Sequence, residues 1–246
     1  MKIANVMIRR IALLWVGVFA LLSVIVVVVL SWSYVADRIT IHELSNPENS
    51  IYTRTRAATT LSQRRTKAAR AALAAVLQDQ SGAVRLAAIS GLVVSGDIAT
   101  LLAGALAASE NPNPSVRADA VVTIGLYGPV ERRDLNERIV KGLRDSAEEV
   151  HVVAIDVLRD YRPPIEEALA DLVNYATRGK GIVREGAVRC LGRKYMHWKE
   201  AQVAVIGALG APERYVRRAA IRSILTHAWY GVSFYRVPRG GFYGLR

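Results

Sequence analysis

The chain has 246 residues, 52% of them hydrophobic, with a mean hydropathy of +0.20. Lysine and arginine outnumber aspartate and glutamate by 33 to 21, giving a formal charge of +12 and an isoelectric point near 10.2. A single cysteine, Cys190, excludes an intramolecular disulfide and a cysteine-based zinc site, and the positive charge favours anionic partners: lipid headgroups, acidic protein faces or nucleic acid.

Residues 1–10 form a short basic N-terminal tail. From Ile11 to Ala36 no residue is charged, and as a helix this run would rise roughly 39 Å, more than the roughly 30 Å of a hydrocarbon core. Trp15 lies near one end and Trp32 and Tyr34 near the other, where amphipathic rings favour the two interfaces. The run is about twice the length of a signal-peptide core, and Tyr34-Val35-Ala36 is a poor cleavage site. The expectation is therefore a retained transmembrane helix over 11–36, followed by a linker over 37–49. Lys2, Arg9 and Arg10 precede the run, whereas only Arg38 follows closely. This asymmetry predicts a single-pass membrane protein with a cytoplasmic N-terminus and an extracytoplasmic or periplasmic body.

The remainder repeats. VRLAAISGL from Val84 recurs as VRADAVVTI from Val116, VHVVAIDVL from Val150, VREGAVRCL from Val183 and VRRAAIRSI from Val216, with steps of 32, 34, 33 and 33 residues. A weaker copy, TRTRAATTL, starts at Thr53. Each fragment carries a helical apolar stripe, and a second helical pattern precedes most of them, as in AARAALAAVL and ATLLAGALAA. Turn residues separate the two: Asn111-Pro112-Asn113-Pro114, Asp145-Ser146, Gly179-Lys180-Gly181 and Ala211-Pro212. Pro114 fits a first helical position, and Ser146-Ala147-Glu148-Glu149 reads as a capping box. Hairpins of this length cannot bury their apolar faces alone, so about six of them must stack over residues 50–228. Cys190 reads as a small buried hydrophobe on one of these helices.

The form L-x-D-x-x-x-x-V-R-x-x-A-x-x-x-L, in LQDQSGAVRLAAISGL and LRDSAEEVHVVAIDVL, resembles the HEAT repeat, in particular the short phycobilisome-lyase-type HEAT-like repeat. The resemblance covers residues 50–228 or so and implies an all-α, right-handed α-solenoid of HEAT-like hairpins behind the N-terminal helix. It further implies a polar ladder between successive units, built from the arginine after the valine and an Asp or Asn five residues before it. Arg54, Arg85, Arg117, Arg184 and Arg217 occupy the first position, with His151 departing in the fourth unit. Asp79, Asn111 and Asp145 occupy the second, but Arg178 and Ala211 stand there later, so the ladder is expected to fade in the last two units.

No catalytic constellation is visible, and neither a cofactor nor a metal is implied. His42, His151, His197 and His227 are scattered without ligand spacing. Asp156 and Asp160 lie four apart beside Arg159 and read as a solvated helix face rather than an acid–base pair.

Charge is uneven along the chain. Between Glu48 and Asp79 there is no acid, while Arg54, Arg56, Arg64, Arg65, Lys67 and Arg70 are basic; they are candidates for contact with lipid headgroups or another anionic surface, or alternatively form a solvated capping repeat. After Glu213 there is again no acid. Residues 229–246 form an aromatic and basic tail in which Gly and Pro disfavour helix. Its candidate contact residues are Trp229, Tyr230, Phe234, Tyr235, Arg236, Arg239, Phe242 and Tyr243, since aromatic side chains and arginine dominate binding hot spots. The tail either caps the last hairpin or docks on a protein; base stacking on nucleic acid is a third possibility. These features predict a membrane-anchored scaffold, an accessory or assembly subunit of a larger membrane complex, acting through protein partners rather than as an enzyme. The alternatives are a lyase-type subunit with a chromophore-sized polar cleft and a nucleic-acid-binding solenoid with its arginines gathered on one face.

Overall fold

The computed structural model describes residues 2–64 and 66–235; side chains at 2–14, 16, 17, 29, 30, 33 and 229–235 are outside that description. Among the described residues there are twelve α-helices and no strand: α1 (Lys2–Ser45), α2 (Ile51–Arg64), α3 (Lys67–Ala75), α4 (Gly82–Val94), α5 (Ile98–Ala108), α6 (Pro114–Tyr127), α7 (Arg133–Leu143), α8 (Glu148–Asp160), α9 (Leu169–Arg178), α10 (Gly181–Cys190), α11 (Lys199–Gly207) and α12 (Arg214–Tyr235). The repeat fragments supply the even-numbered helices α2 to α12, the second helix of each unit. The end of α1 serves as the first helix of the first unit, and α3, α5, α7, α9 and α11 serve the others.

The helix ends follow from local chemistry. Asn113 accepts from Ser115 N at the start of α6 with Pro114 in the first turn, as expected. Gly96, at φ 74°, ends α4: Gly96 N donates to Val93 O and Asp97 N to Leu92 O, the paired bonds of a Schellman turn that only a residue tolerant of positive φ closes without strain. Asp97 then caps α5 by accepting from Thr100 N at 3.1 Å. The predicted capping box at Ser146 does not form. Ala147 is the cap residue and makes no side-chain bond, because the preceding Asp145 accepts from Ala147 N instead.

Second helices pack on second helices, and first helices on first toward both ends of the stack, so the hairpins stack as a helical-repeat solenoid. The buried apolar residues fall into two large clusters. One runs from Leu44 to Leu101, the other from Leu102 to Ala220. They part where α4 meets α6, which touch less than other neighbouring second helices do. Glycines set the closest approaches elsewhere. A Cβ on Gly125 would lie 2.4 Å from Val157 Cγ1, and one on Gly192 would lie 2.0 Å from Ser223 Oγ.

Three expectations are corrected. Among the described residues no helix is long and apolar enough to cross a membrane. That overturns the transmembrane helix over 11–36, and with it the single-pass membrane localisation, the cytoplasmic N-terminus and the extracytoplasmic body. The expected linker over 37–49 is also largely helical, since α1 continues to Ser45 and docks on the first hairpins. Leu44 is fully buried there, and Asp37 accepts from Thr66 Oγ1 at 3.1 Å and pairs with Arg64 at 3.5 Å. At the other end, α12 carries the chain as helix through Tyr235, past the point where Gly and Pro were expected to stop it.

Candidate functional site

The polar ladder joins the first four units and again the fifth and sixth, beyond the units where the repeat pattern placed it, with no such rung from the fourth to the fifth among the described residues. Arg54 donates to Leu44 O at 3.0 Å and through Nη1 to Asp79 at 3.1 Å. Arg85, only 2% exposed, donates to Asp79 O and Gln80 O in its own turn and to Ser115 Oγ and Asp119 in the next unit. Arg117 holds Asp145 with two bonds of 2.7 and 2.6 Å, and also donates to Asn111 O and Pro112 O. In the fourth unit His151 takes the place of arginine and bonds Asp145 O through Nε2. The ladder was expected to fade after this point. Instead Arg184 finds Glu213 at 3.1 Å, two residues beyond Ala211, and Arg217 donates to Ala211 O and Pro212 O. These arginines hold turns together inside the stack and leave few donors for a ligand.

The acid-free segment after α1 is likewise absorbed. Arg54 is buried and so cannot reach a lipid headgroup. Arg64 pairs with Asp37, and Arg70 pairs with Asp97 at 3.1 Å. Arg56 and Lys67 are exposed, and Arg65 lies outside the described residues. In the tail, the side chains of Trp229, Tyr230, Phe234 and Tyr235 lie outside the description, as do Arg236, Arg239, Phe242 and Tyr243 entirely.

What the stacking does create is a row of positions on the second helices most of which face away from the core, Ala118 and Val152 being the exceptions that pack on it. Counted from the leading residue of each repeat fragment, they are the third, seventh and eleventh, one helical turn apart. The row reads Thr55, Thr59, Gln63; Leu86, Ser90, Val94; then Val122 and Leu126 in the third unit; Val152, Asp156, Asp160; Glu185, Arg189, Arg193; Arg218, Arg222, Thr226. Its character changes from neutral polar through apolar and acidic to basic. Leu86 and Val94 are 63% and 71% exposed.

At the basic end the row opens into a cavity of about 890 Å³ between α8, α10 and α12. Arg159, Arg189, Arg193, Arg218 and Arg222 line it, with Asp160 and Glu185 among them. Arg159 is clamped by Asp156 and Asp160, each at 2.6 Å, and Arg193 donates to Asp160 at 2.9 Å. The Arg159 guanidinium holds the Asp160 carboxyl below the ordinary carboxylate range, with Arg193 adding to the effect. Arg189 stands 3.6 Å from Glu185. Arg218 and Arg222 have no carboxylate partner among the described residues. The pair of Asp156 and Asp160 thus belongs to a half-buried ion-pair network around Arg159.

The backbone shapes this cavity. Residues Leu191–Tyr195 form a π-helical turn at the end of α10, a widening often found at functional positions, which carries Gly192 and Arg193 into the lining. Gly192 lets α12 come close enough to form the opposite wall. Tyr195, fully buried, anchors the turn by accepting from Ile165 N at 2.9 Å and donating to Ile165 O at 3.1 Å. Cys190 is fully buried, and burial pushes its thiol up to about 12, as suits a core residue. Sequence reasoning missed the groove. The signal that would have found it is the charge at the third, seventh and eleventh positions of the aligned repeats.

No family model and no curated protein matches the chain. Among solved structures, the designed armadillo repeat protein YIII(Dq)4CqI is 21% identical, with 76% of this chain and 97% of that one covered at a TM-score of 0.47. The designed armadillo repeat protein YIII(Dq.V1)4CPAF, in complex with the peptide (KR)4, is 18% identical over 76% and 97%, at 0.49. Human deoxyhypusine hydroxylase in complex with glycerol is 17% identical over 74% and 82%, at 0.43. The chain is similar to these proteins at a coarse level, that of stacked helical repeats.

Proposed function

We propose that this chain is a helical-repeat scaffold without an activity of its own, an accessory or assembly subunit that holds a protein partner along the exposed row of its second helices. The observation that carries the reading is that row. It offers exposed apolar side chains in the second and third units and charged ones in the fourth to sixth, on one face of a rigid stack. Large exposed apolar groups near charged ones suit a protein interface, with an apolar centre and a polar rim. A stack of hairpins also fixes the spacing of such groups over several units, as extended binding surfaces require.

The test is to isolate the tagged full-length chain from its source with whatever binds it in stoichiometric amount, and to repeat this with Leu86→Glu and Val94→Glu combined. Both side chains are exposed, so the thermal midpoint should stay within a few degrees while the partner is lost. A double variant that folds normally and retains its partner in full would overturn the reading.

A further inference from the structure

We infer that the basic groove between α8, α10 and α12 binds an acidic segment of the partner protein in extended conformation, its carboxylates received by Arg189, Arg218 and Arg222. This rests on the scaffold reading and specifies the chemistry of what one end of the row holds.

The argument begins with which arginines are committed. Arg159 and Arg193 are tied to Asp156 and Asp160 and act as part of the wall. Arg218 and Arg222 are exposed, lie four residues apart on one face of α12, and meet no carboxylate among the described residues. Arg189 occupies the same repeat position as Arg222, one unit earlier, and its Glu185 contact is long at 3.6 Å. Guanidinium groups standing together beside a cavity repel one another until an anion enters, and each then gives charge-assisted bonds to a carboxylate, often two at once.

Spacing selects the form of the ligand. Residues four apart on a helix are separated by about 6 Å along its axis. Alternate residues of an extended chain are separated by roughly 6.7 Å and point the same way. Acidic residues at every second position therefore match Arg218 and Arg222 in a chain lying along α12, and Arg189, on the neighbouring helix α10, lines the other side of the same groove. Thr226, exposed and also lining the cavity, is suited to bonding the backbone of such a chain.

The acids in the groove decide between ligand classes. Asp160 and Glu185 stand among the arginines. A phosphate backbone carries charge at every unit and would press some of it against these carboxylates. A peptide whose charges alternate with neutral side chains places the neutral ones there.

The experiment uses the full chain and a fluorescein-labelled peptide, acetyl-(Glu-Thr)4-amide, followed by anisotropy at low and at physiological salt. Saturable binding is expected, weakening as salt rises. The double variant Arg218→Glu, Arg222→Glu should lose at least ten-fold in affinity, and Arg189→Glu several-fold, each with an unchanged circular dichroism spectrum. Arg214→Glu, a basic residue of the same helix outside the lining, should change little and controls for net charge. Three results would overturn the inference: no saturable binding, equal binding of acetyl-(Lys-Thr)4-amide, or a groove that takes a dT12 oligonucleotide or inorganic tripolyphosphate in preference to the peptide. None of these touches the scaffold reading, which stands or falls with the Leu86 and Val94 variant.

Discussion

Arg85 Nε donates to Asp119 Oδ2 at 2.7 Å, and this bond spans α4 and α6 at the place where the apolar core divides in two. A guanidinium that is almost wholly buried therefore does there what leucine and alanine do between the other units. Arg85→Met removes it together with its bonds to Ser115 and to the carbonyls of Asp79 and Gln80. Asp119 is 43% exposed in its side chain and regains water, so the cost should be about 2–3 kcal/mol rather than that of a fully stranded ion. Urea denaturation of the variant should also lose cooperativity, with residues 36–101 melting before the rest, because repeat stacks are joined only through neighbours. A single transition at the original midpoint would contradict this.

Arg117 holds the Asp145 carboxyl below its ordinary value, chiefly by hydrogen bonding, with Ala147 N assisting. A carboxyl whose pKa is lower in the folded than in the unfolded chain stabilises the fold above the unfolded value, about 3.9. That contribution is lost as pH falls through the folded value. Stability should therefore decline from about pH 5 downward, and Asp145→Asn should flatten that decline while lowering stability at pH 7. Thermal melts of both proteins between pH 7 and pH 2.5 measure it.

Arg162 is 1% exposed and donates through Nη2 to Ile124 O at 2.6 Å, but its Nε and Nη1 are buried without a partner. Burial pushes this guanidinium below its usual value. A buried charge so poorly paired costs stability, so Arg162→Met should leave the fold as stable or raise it by about 1–2 kcal/mol. Chemical denaturation reads this directly, and a loss above about 2 kcal/mol would show that the free donors have partners.

Gly192 admits no side chain, since a Cβ there would strike Ser223 Cβ at 2.1 Å as well as its Oγ. Gly192→Ala must push α12 outward and should cost about 1–3 kcal/mol. It should also weaken acidic-peptide binding, because α12 forms one wall of the groove. Gly207→Ala, a helical position with nothing within 4 Å of the added carbon, is the control that should leave peptide binding unchanged and stability unchanged or raised by up to about 1 kcal/mol.

The stack was legible because its period is carried by residues with fixed jobs: a leading valine, an arginine that reaches back to its own turn, and alanines where helices cross. Partners of those arginines were less so. Asp119, within α6, and Glu213, just before α12, take the place of the expected positions, because a long guanidinium side chain can meet a carboxylate from several directions. Local motifs misled where a nearer competitor existed, as at Ser146, where Asp145 takes the cap bond. The groove was invisible in the linear charge pattern, since its charged side chains come from three helices far apart in the chain, α8, α10 and α12, and from the π-helical turn after α10. The run 11–36 misled most, having been read from its length, its lack of charge and the aromatic residues at its ends.

The most direct test of the account is where a partner touches the chain. A photo-crosslinking residue would be placed at Val94, Leu126 and Arg189 on the second-helix row, and at Glu137 and Lys199 on first helices. The account predicts that the same partner protein is captured from all three row positions and from neither first-helix position. Capture from the first helices alone, or equally from both faces, would contradict it.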